Sequence, residues 1–455
     1  MNNLKTTIME EFIKDIGGLV YNACQIDKTL FDEFGVKRGL RNADGTGVIA
    51  GLTNVGDVIG YVKEDGKVKP VEGNLRYRGY PVTELVKGFQ ADKRHGFDET
   101  TFLLLTGKLP SKAQLNHFSE YLAYNRDLDE AFTNMILSLR GKDMMNMLAR
   151  SILILYTLDE TAEDYSHLSL LNQSLSLIAK LPVIVAYSYH GMRHAYSRKT
   201  LVIRHPRPNL SPAENFLYMI KGCNYTALEA EILDLALVLH AEHGGGNNST
   251  FVTRVVSSSM TDTYSAIAAG VGSLKGRLHG GANLQVLEMM EDIKAHVKDW
   301  TDENEVKNYL GRILKGEVGD KSGKIYGIGH AVYTLSDPRT ILLKEKGWDL
   351  AREKGLEKEF ALYDLIERLA PKAFHEFKGE TKVISANVDF YSGFVYETIG
   401  VPKELFTPIF AISRMAGWAA HRLEEVTFSS KRIIRPAYKN VAQCELHYAP
   451  LATRK

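Results

Sequence analysis

The stretch Leu168–Tyr187 is apolar on nearly every face of a helix, and a chain that carries it must enclose it. A helix of that kind is stable only within a large helical body or a membrane. Its uninterrupted apolar runs, such as Leu181–Ala186, fall far short of the roughly 18 residues that a membrane span needs. The reading is therefore a core helix, with Pro182 expected to kink it or end its first part. The same helical period recurs over residues 99–108 and 146–158. In TDTYSAIAAGVGSL (Thr261–Leu274) a Thr or Asp cap precedes a run of small residues, which predicts a tight helix–helix or subunit contact. Strand signal is weak and confined to GVIAGLTNVGDVIGYV, which glycines interrupt repeatedly. The expected fold class is mainly α.

At 455 residues the chain is long enough for two to three units, or for one large domain with an insert. Hydrophobic residues at 44% and charged residues at 24% exclude global disorder. Lys+Arg at 56 against Asp+Glu at 55 leaves no overall basic field for nucleic acid or an anionic membrane. Cys24, Cys223 and Cys444 are widely separated and form neither a CxxC pair nor a metal-ligand set, which suits a reducing compartment. Residues 1–16 hold Glu10, Glu11 and Asp15 and no arginine, the wrong balance for a transit peptide. A soluble, cytoplasmic protein is expected. Between about 276 and 388 the composition shifts to charged helices such as KEKGWDLAREKGLEKEF. The expected division is a large domain over 1–275, with an N-terminal extension of about 1–60, a small domain over 276–388, and a return to the large domain over 389–455. Ligands favour the cleft between such domains.

Four polar constellations carry the chemistry. HAEHGGGNNST places His240 and His243 three residues apart at the end of an apolar helix. That pair could hold zinc, but the spacing matches neither HExxH nor HxxEH, and a helix-terminal structural role competes with it. In LHGGAN, His279 precedes two glycines and a helix starting near Ala282. The positive end of the helix dipole should lower its pKa and keep the imidazole neutral, fit to donate to a carbonyl; a core histidine beside a tight turn fits equally. In YGIGHAVYTLSDPR, Gly327 and Gly329 permit close backbone approach to a ligand, His330 follows at once, and Arg339 stands nine residues on. This is neither a dinucleotide fingerprint nor, with the nearby SGK, a phosphate loop. In NVDFYSG, Asp389 lies among Val388, Phe390 and Tyr391, so desolvation should raise its pKa and make it a better base; a hydrogen-bonded structural aspartate is the competing reading. Arg414, in the otherwise apolar ISRMAGWAAHRL, should point inward and need an anionic partner. Arg435 in RIIRP is on these grounds a surface charge.

Taken in order, HAEHGGGNNST, LHGGAN, GxGHAVY…DPR and NVDFYSG resemble the citrate synthase family. The likeness extends from LRYRGYPVTEL and TTFLLLTGKLPS through IAKLPVIVAYSYH and PAENFLYMIKG to IIRPAYKN. It implies a helical homodimer whose large and small domains close over oxaloacetate and acetyl-CoA, condensing them with water to citrate and CoA. Acetyl-CoA is then a substrate, and neither a resident cofactor nor a metal is implied. By the resemblance, Asp389 falls on the base, His279 on the residue that binds the thioester carbonyl, and His330 on the residue facing the ketone. His243, Arg339 and Arg414 fall on oxaloacetate-binding positions, and Arg435 on an arginine contributed by the other subunit. Gly327, Ile328 and Gly329 fall on the loop that wraps the CoA adenine. The chain departs from many relatives at Ala331 and Thr334, where basic residues are usual, which leaves CoA-phosphate contacts to groups such as Lys321 or Lys324. A 2-methylcitrate synthase acting on propionyl-CoA has the same motifs, since one methylene changes binding by only about 1–3 kcal/mol. Outside the class stand a non-catalytic homologue, which need not keep all three of His279, His330 and Asp389, and a zinc hydrolase built on His240 and His243.

Overall fold

The computed structural model describes residues 2–379, 383–442 and 448–454. Cys444 lies outside them. Two compact units are present, one formed by Met1–Ile49 with Arg435–Lys455 and the other by Ala50–Ile434. The first unit is built on a long helix, Asn2–Ala23. The second holds the remaining long helices and a single three-stranded antiparallel sheet among the described residues. The mainly α reading stands.

The apolar stretch singled out in the sequence forms the helix His167–Ser197, capped by Ser166 and buried from Leu170 almost continuously to His190. It is long and apolar enough to cross a membrane, yet 67% of its most apolar window is buried within the protein, as a core helix requires. Pro182 does not end it. The helix continues on both sides because burial of apolar turns there outweighs one missing N–H donor. The other helical readings appear as Phe97–Thr106 and Met144–Leu158.

Small residues on the helix Thr263–Leu274 do what their size predicts. Asp262 caps it by accepting from the Ser265 N–H. A Cβ on Gly270 would lie 2.5 Å from Thr253 Oγ1 and 3.4 Å from the Trp418 ring. Two neighbouring helices, Asn248–Ser257 and Phe406–Thr427, therefore approach this one at the glycine.

The glycine-broken N-terminal stretch contributes a β-hairpin. Strand Gly56–Glu64 pairs antiparallel with Lys67–Tyr77 across Asp65-Gly66, both at positive φ, as a tight hairpin turn demands. Gly60 and Gly73 face the segment after His330 at backbone distance: a Cβ on Gly60 would strike the Val332 carbonyl, and one on Gly73 the Ser336 carbonyl. Gly73 N–H donates to Ser336 Oγ (3.1 Å), and Ser336 Oγ donates to Glu72. The hairpin thereby clamps residues 332–336 between His330 and Arg339.

Replacing Gly270 with valine should overpack the three-helix contact and cost about 1–3 kcal/mol. The expected readout is a lower thermal midpoint with unchanged helical circular dichroism.

Candidate active site

The helix Ala227–His240 ends in a turn, residues 241–247, on which much of the site is built. Glu242 is fully buried there, and its Oε1 accepts from the Gly244 N–H and from His421 Nε2 (2.9 Å). Arg254 donates to His421 Nδ1 (2.8 Å), and an arginine can only donate, so the histidine proton lies on Nε2 and points at Glu242. Burial alone would raise the Glu242 pKa, but His421, Arg414 and the Gly244 N–H together hold it below the usual carboxylate range. Arg414, also fully buried, donates from Nε to the His240 carbonyl (2.7 Å) and from Nη1 to Asn247 Oδ1 (3.0 Å). Its Nη2 makes no hydrogen bond among the described residues, nor do His243 Nε2 and either ring nitrogen of His240. Burial lowers the Arg414 pKa to about 10, so the guanidinium stays charged at neutral pH.

The opposite wall comes from residues 327–339. His330 Nδ1 accepts from the Val332 and Tyr333 N–H groups, both at 3.0 Å, which places its proton on Nε2. The ring stacks on Tyr333 (centroids 4.7 Å apart) and meets His243 edge-on at 5.2 Å. Asp337 caps the helix Pro338–Lys354 and grips the Arg339 guanidinium with two hydrogen bonds, of 3.0 Å from Nε and 2.7 Å from Nη2. Burial opposes the charge on Arg339, but Asp337 outweighs it and raises the pKa. At Gly327, φ is +76° and a Cβ would lie 2.8 Å from Phe390 Cβ, so only glycine fits. The loop is pinned to the next segment by Gly329 N–H to the Ser385 carbonyl (2.8 Å), Asn387 N–H to the Gly327 carbonyl (2.9 Å) and Asn387 Nδ2 to the Gly329 carbonyl (2.9 Å).

Asp389 opens the helix Asp389–Thr398, its N–H donating to Asn387 Oδ1. Burial raises its pKa to about 6, Arg339 and Arg414 opposing and Asp337 reinforcing the shift. His279 sits in the turn before the helix Ala282–His296, and its Nε2 accepts from the Ser249 N–H (3.3 Å), leaving the proton on Nδ1. Its pKa is lowered to about 4, chiefly by burial and then by Arg414. The sequence reading ascribed a lowered value to the helix dipole; desolvation is the larger cause. At neutral pH, Asp389 is a charged but reluctant carboxylate and His279 a neutral donor.

His243, His279, His330, Arg339, Arg414 and Asp389 are thus drawn together, linked by ring contacts and mutual electrostatic influence. Gly327, Ile328 and Gly329 form the loop beside them, with Ile328 bridged to Ala386. Arg435 belongs to the other compact unit, where it is exposed. No group of three or more His, Cys, Asp and Glu side chains suited to a metal occurs among the described residues. His240 is buried and stacked at 4.5 Å on Phe410. The sequence reading missed Asp337, Glu242, Ser249, Tyr333 and His421. Asp337 had a local signal, two residues before an arginine at the start of a helix. His421 could have been found seven residues after Arg414, on the same helical face.

A helical body that holds two buried guanidinium groups beside an ionised carboxylate and a neutral imidazole, their pKa values shifted in opposite directions, has the layout of an enzyme for proton abstraction next to a carbonyl. The family model for "Citrate synthase, C-terminal domain" matches residues 45–437. Citrate synthase from Haloferax volcanii is 35% identical over 388 residues, spanning 84% of this chain and 93% of the relative. A 2-methylcitrate synthase from Shewanella oneidensis is 32% identical over 381 residues, 84% and 92% of the two chains. The crystal structure of the Thermotoga maritima citrate synthase aligns with a TM-score of 0.72 at 30% identity, covering 92% of this chain and 99% of that one. A Thermoplasma acidophilum citrate synthase in ternary complex with carboxymethyl coenzyme A and oxaloacetate aligns at 0.74 and 27%, with the same coverage. The chain belongs to the citrate synthase family.

The raised Asp389 pKa has a stability consequence. The folded state binds the proton more tightly than the unfolded chain, so the contribution is fully present below about 4 and is lost as pH rises through about 6. Asp389→Asn removes this loss. The variant should be more stable than wild type by on the order of 1–3 kcal/mol at pH 7–8, and the gap should close as pH falls toward 4, measured by denaturant titration across pH.

Proposed function

We propose that the chain condenses acetyl-CoA with oxaloacetate and water to give citrate and CoA. The observation that carries this reading is Asp389 and His279, their pKa values shifted in opposite directions by burial, beside two buried arginines. A thioester methyl is a very weak acid, so a carboxylate removes its proton only if the enolate is stabilised as it forms. Asp389 takes the proton while the His279 Nδ1–H donates to the thioester oxygen. The new carbanion attacks the oxaloacetate ketone, polarised by the His330 Nε2–H, and the resulting alkoxide takes up a proton. Oxaloacetate is a dianion; Arg339, Arg414 and His243 offer the donors that receive it. Water then hydrolyses citryl-CoA to citrate and CoA. Closure of a small domain, residues 276–388, over the large one would exclude water until that step.

The CoA adenine would lie against Gly327–Gly329. With Ala331 and Thr334 uncharged, its phosphates would fall to the exposed Lys321 and Lys324. A homodimer with shared sites, each completed by Arg435 of the other copy, and a cytoplasmic setting complete the reading; exposed free thiols at Cys24 and Cys223 support a reducing compartment. The Shewanella oneidensis relative keeps a second reading open, condensation of propionyl-CoA to 2-methylcitrate.

Thiol release in the presence of oxaloacetate, with acetyl-CoA and propionyl-CoA compared, tests the reaction. Asp389→Asn should keep oxaloacetate binding and lose turnover by several orders of magnitude. His279→Ala should depress turnover with oxaloacetate affinity nearly intact, whereas His243→Ala should chiefly weaken that affinity in calorimetric titration. Near-normal thiol release from folded Asp389→Asn would refute the assignment of the base.

The shared site is tested by mixing. Asp389→Ala and Arg435→Ala chains should each be nearly inactive alone. Random reassembly of equal amounts makes about half the dimers mixed, each with one whole site of two, so roughly a quarter of wild-type activity should return. No recovery, with exchange of subunits verified, would place Arg435 in its own chain's site.

A further inference from the structure

Phe410 joins the two halves of the site. Its ring lies 4.5 Å from the His240 ring at 31°, 6.5 Å from the His279 ring at 71°, and 4.8 Å from the Arg414 guanidinium carbon. The ring is 8% exposed, and it stands four residues before Arg414 on the same face of the helix Phe406–Thr427. His279 thus belongs to the proposed thioester end, and Arg414 to the proposed oxaloacetate end.

The reaction fixes what must lie between those ends. The thioester oxygen is held at His279, and the carbon to be deprotonated must point toward the ketone held by Arg339, Arg414 and His330. A substituent on that carbon has to be accommodated by whatever wall spans His279 and Arg414. Phe410 touches both, and its packing against His240 and Arg414 leaves it little freedom to turn aside.

We propose that Phe410 determines acyl-chain specificity, its ring forming the wall that admits the methyl of an acetyl thioester and excludes the additional methylene of a propionyl one. This rests on the condensation reading above. The wild-type enzyme accordingly prefers acetyl-CoA. One methylene in an apolar pocket changes kcat/KM by about 10- to 200-fold, so shortening the wall should move the propionyl-to-acetyl ratio by a comparable factor.

The test is kcat/KM for acetyl-CoA and propionyl-CoA at saturating oxaloacetate in wild type, Phe410→Leu and Phe410→Val. Loss of the Arg414–ring contact weakens oxaloacetate binding equally for both thioesters and cancels in the ratio, as does any general loosening of the fold. The ratio of propionyl to acetyl should rise at least tenfold in Phe410→Leu and further in Phe410→Val. A ratio within twofold of wild type in both variants overturns the proposal, and so does a wild-type enzyme that already prefers propionyl-CoA. A wild-type enzyme that releases thiol from neither ester contradicts the condensation reading itself, which separates the two failures.

Discussion

Arg414 donates to the His240 carbonyl and to Asn247, and through these two bonds one helix fixes both ends of the turn that carries His243. The helix Phe406–Thr427 does this with a stripe rather than a single residue. Arg414, Gly417, His421 and Glu424 follow one another at intervals of three and four, the spacing of one helical face. Gly417 has no room for a Cβ because the Ala241 carbonyl and Glu242 Oε2 occupy the space. His421 then meets Glu242, and Glu424 accepts from Arg254 (2.7 Å) and from the Asn54 N–H (2.7 Å). Buried charged and polar groups thus extend along this helical face from Arg414 to the backbone at Asn54. His421, Arg254 and Glu424 are paired with one another or with Glu242 Oε1, which is the condition under which buried charge is tolerated, while Arg414 Nη2 and Glu242 Oε2 make no hydrogen bond among the described residues.

Within that frame, a single physical cause acts on the two proposed catalytic groups in opposite ways. Removing water disfavours whichever form is charged. It therefore raises the pKa of a carboxylate and lowers that of an imidazole. Asp389 at about 6 is ionised at neutral pH but accepts a proton more readily than a solvated aspartate. His279 at about 4 stays neutral, so it donates a hydrogen bond without surrendering the proton to the enolate. Arg339 and Arg414 moderate the first shift, and Arg414 deepens the second. Ser249 completes the arrangement: its N–H donates to His279 Nε2, which leaves the ring proton on Nδ1.

Much of this is legible in the sequence wherever a local pattern has one physical meaning. All-round apolarity over Leu168–Tyr187, in runs too short for a membrane span, marks a buried helix, and the small-residue run after Asp262 marks a close helix or subunit contact. Asp389 among Val388, Phe390 and Tyr391 announces its desolvation. What the sequence withholds are pairings between distant segments. Glu242 and His421 are 179 residues apart, and nothing local to either one names the other. The glycines of the N-terminal stretch read as interruptions of a strand, yet Gly60 and Gly73 are where residues 332–336 lie against the hairpin, a contact more than 250 residues distant in sequence. Pro182 misleads for the converse reason: its local preference to stop a helix is overridden by packing on all sides.

The pairing of the GxGH loop with residues 385–387 has a mechanical consequence. Three hydrogen bonds tie Gly327 and Gly329 to Ser385 and Asn387, and Asn387 Oδ1 in turn accepts from the N–H of Asp389. Gly327 is also packed directly on Phe390, one residue after the base. His330, the proposed polariser of the ketone, and Asp389, the proposed base, are therefore carried by one cross-linked piece of backbone. His243, Arg414 and His279 are carried by another, the turn and helices around Asn247 and Ser249. The cross-link thereby fixes the spacing of His330 and Asp389, whose proposed actions on the two substrates have to meet at one forming bond.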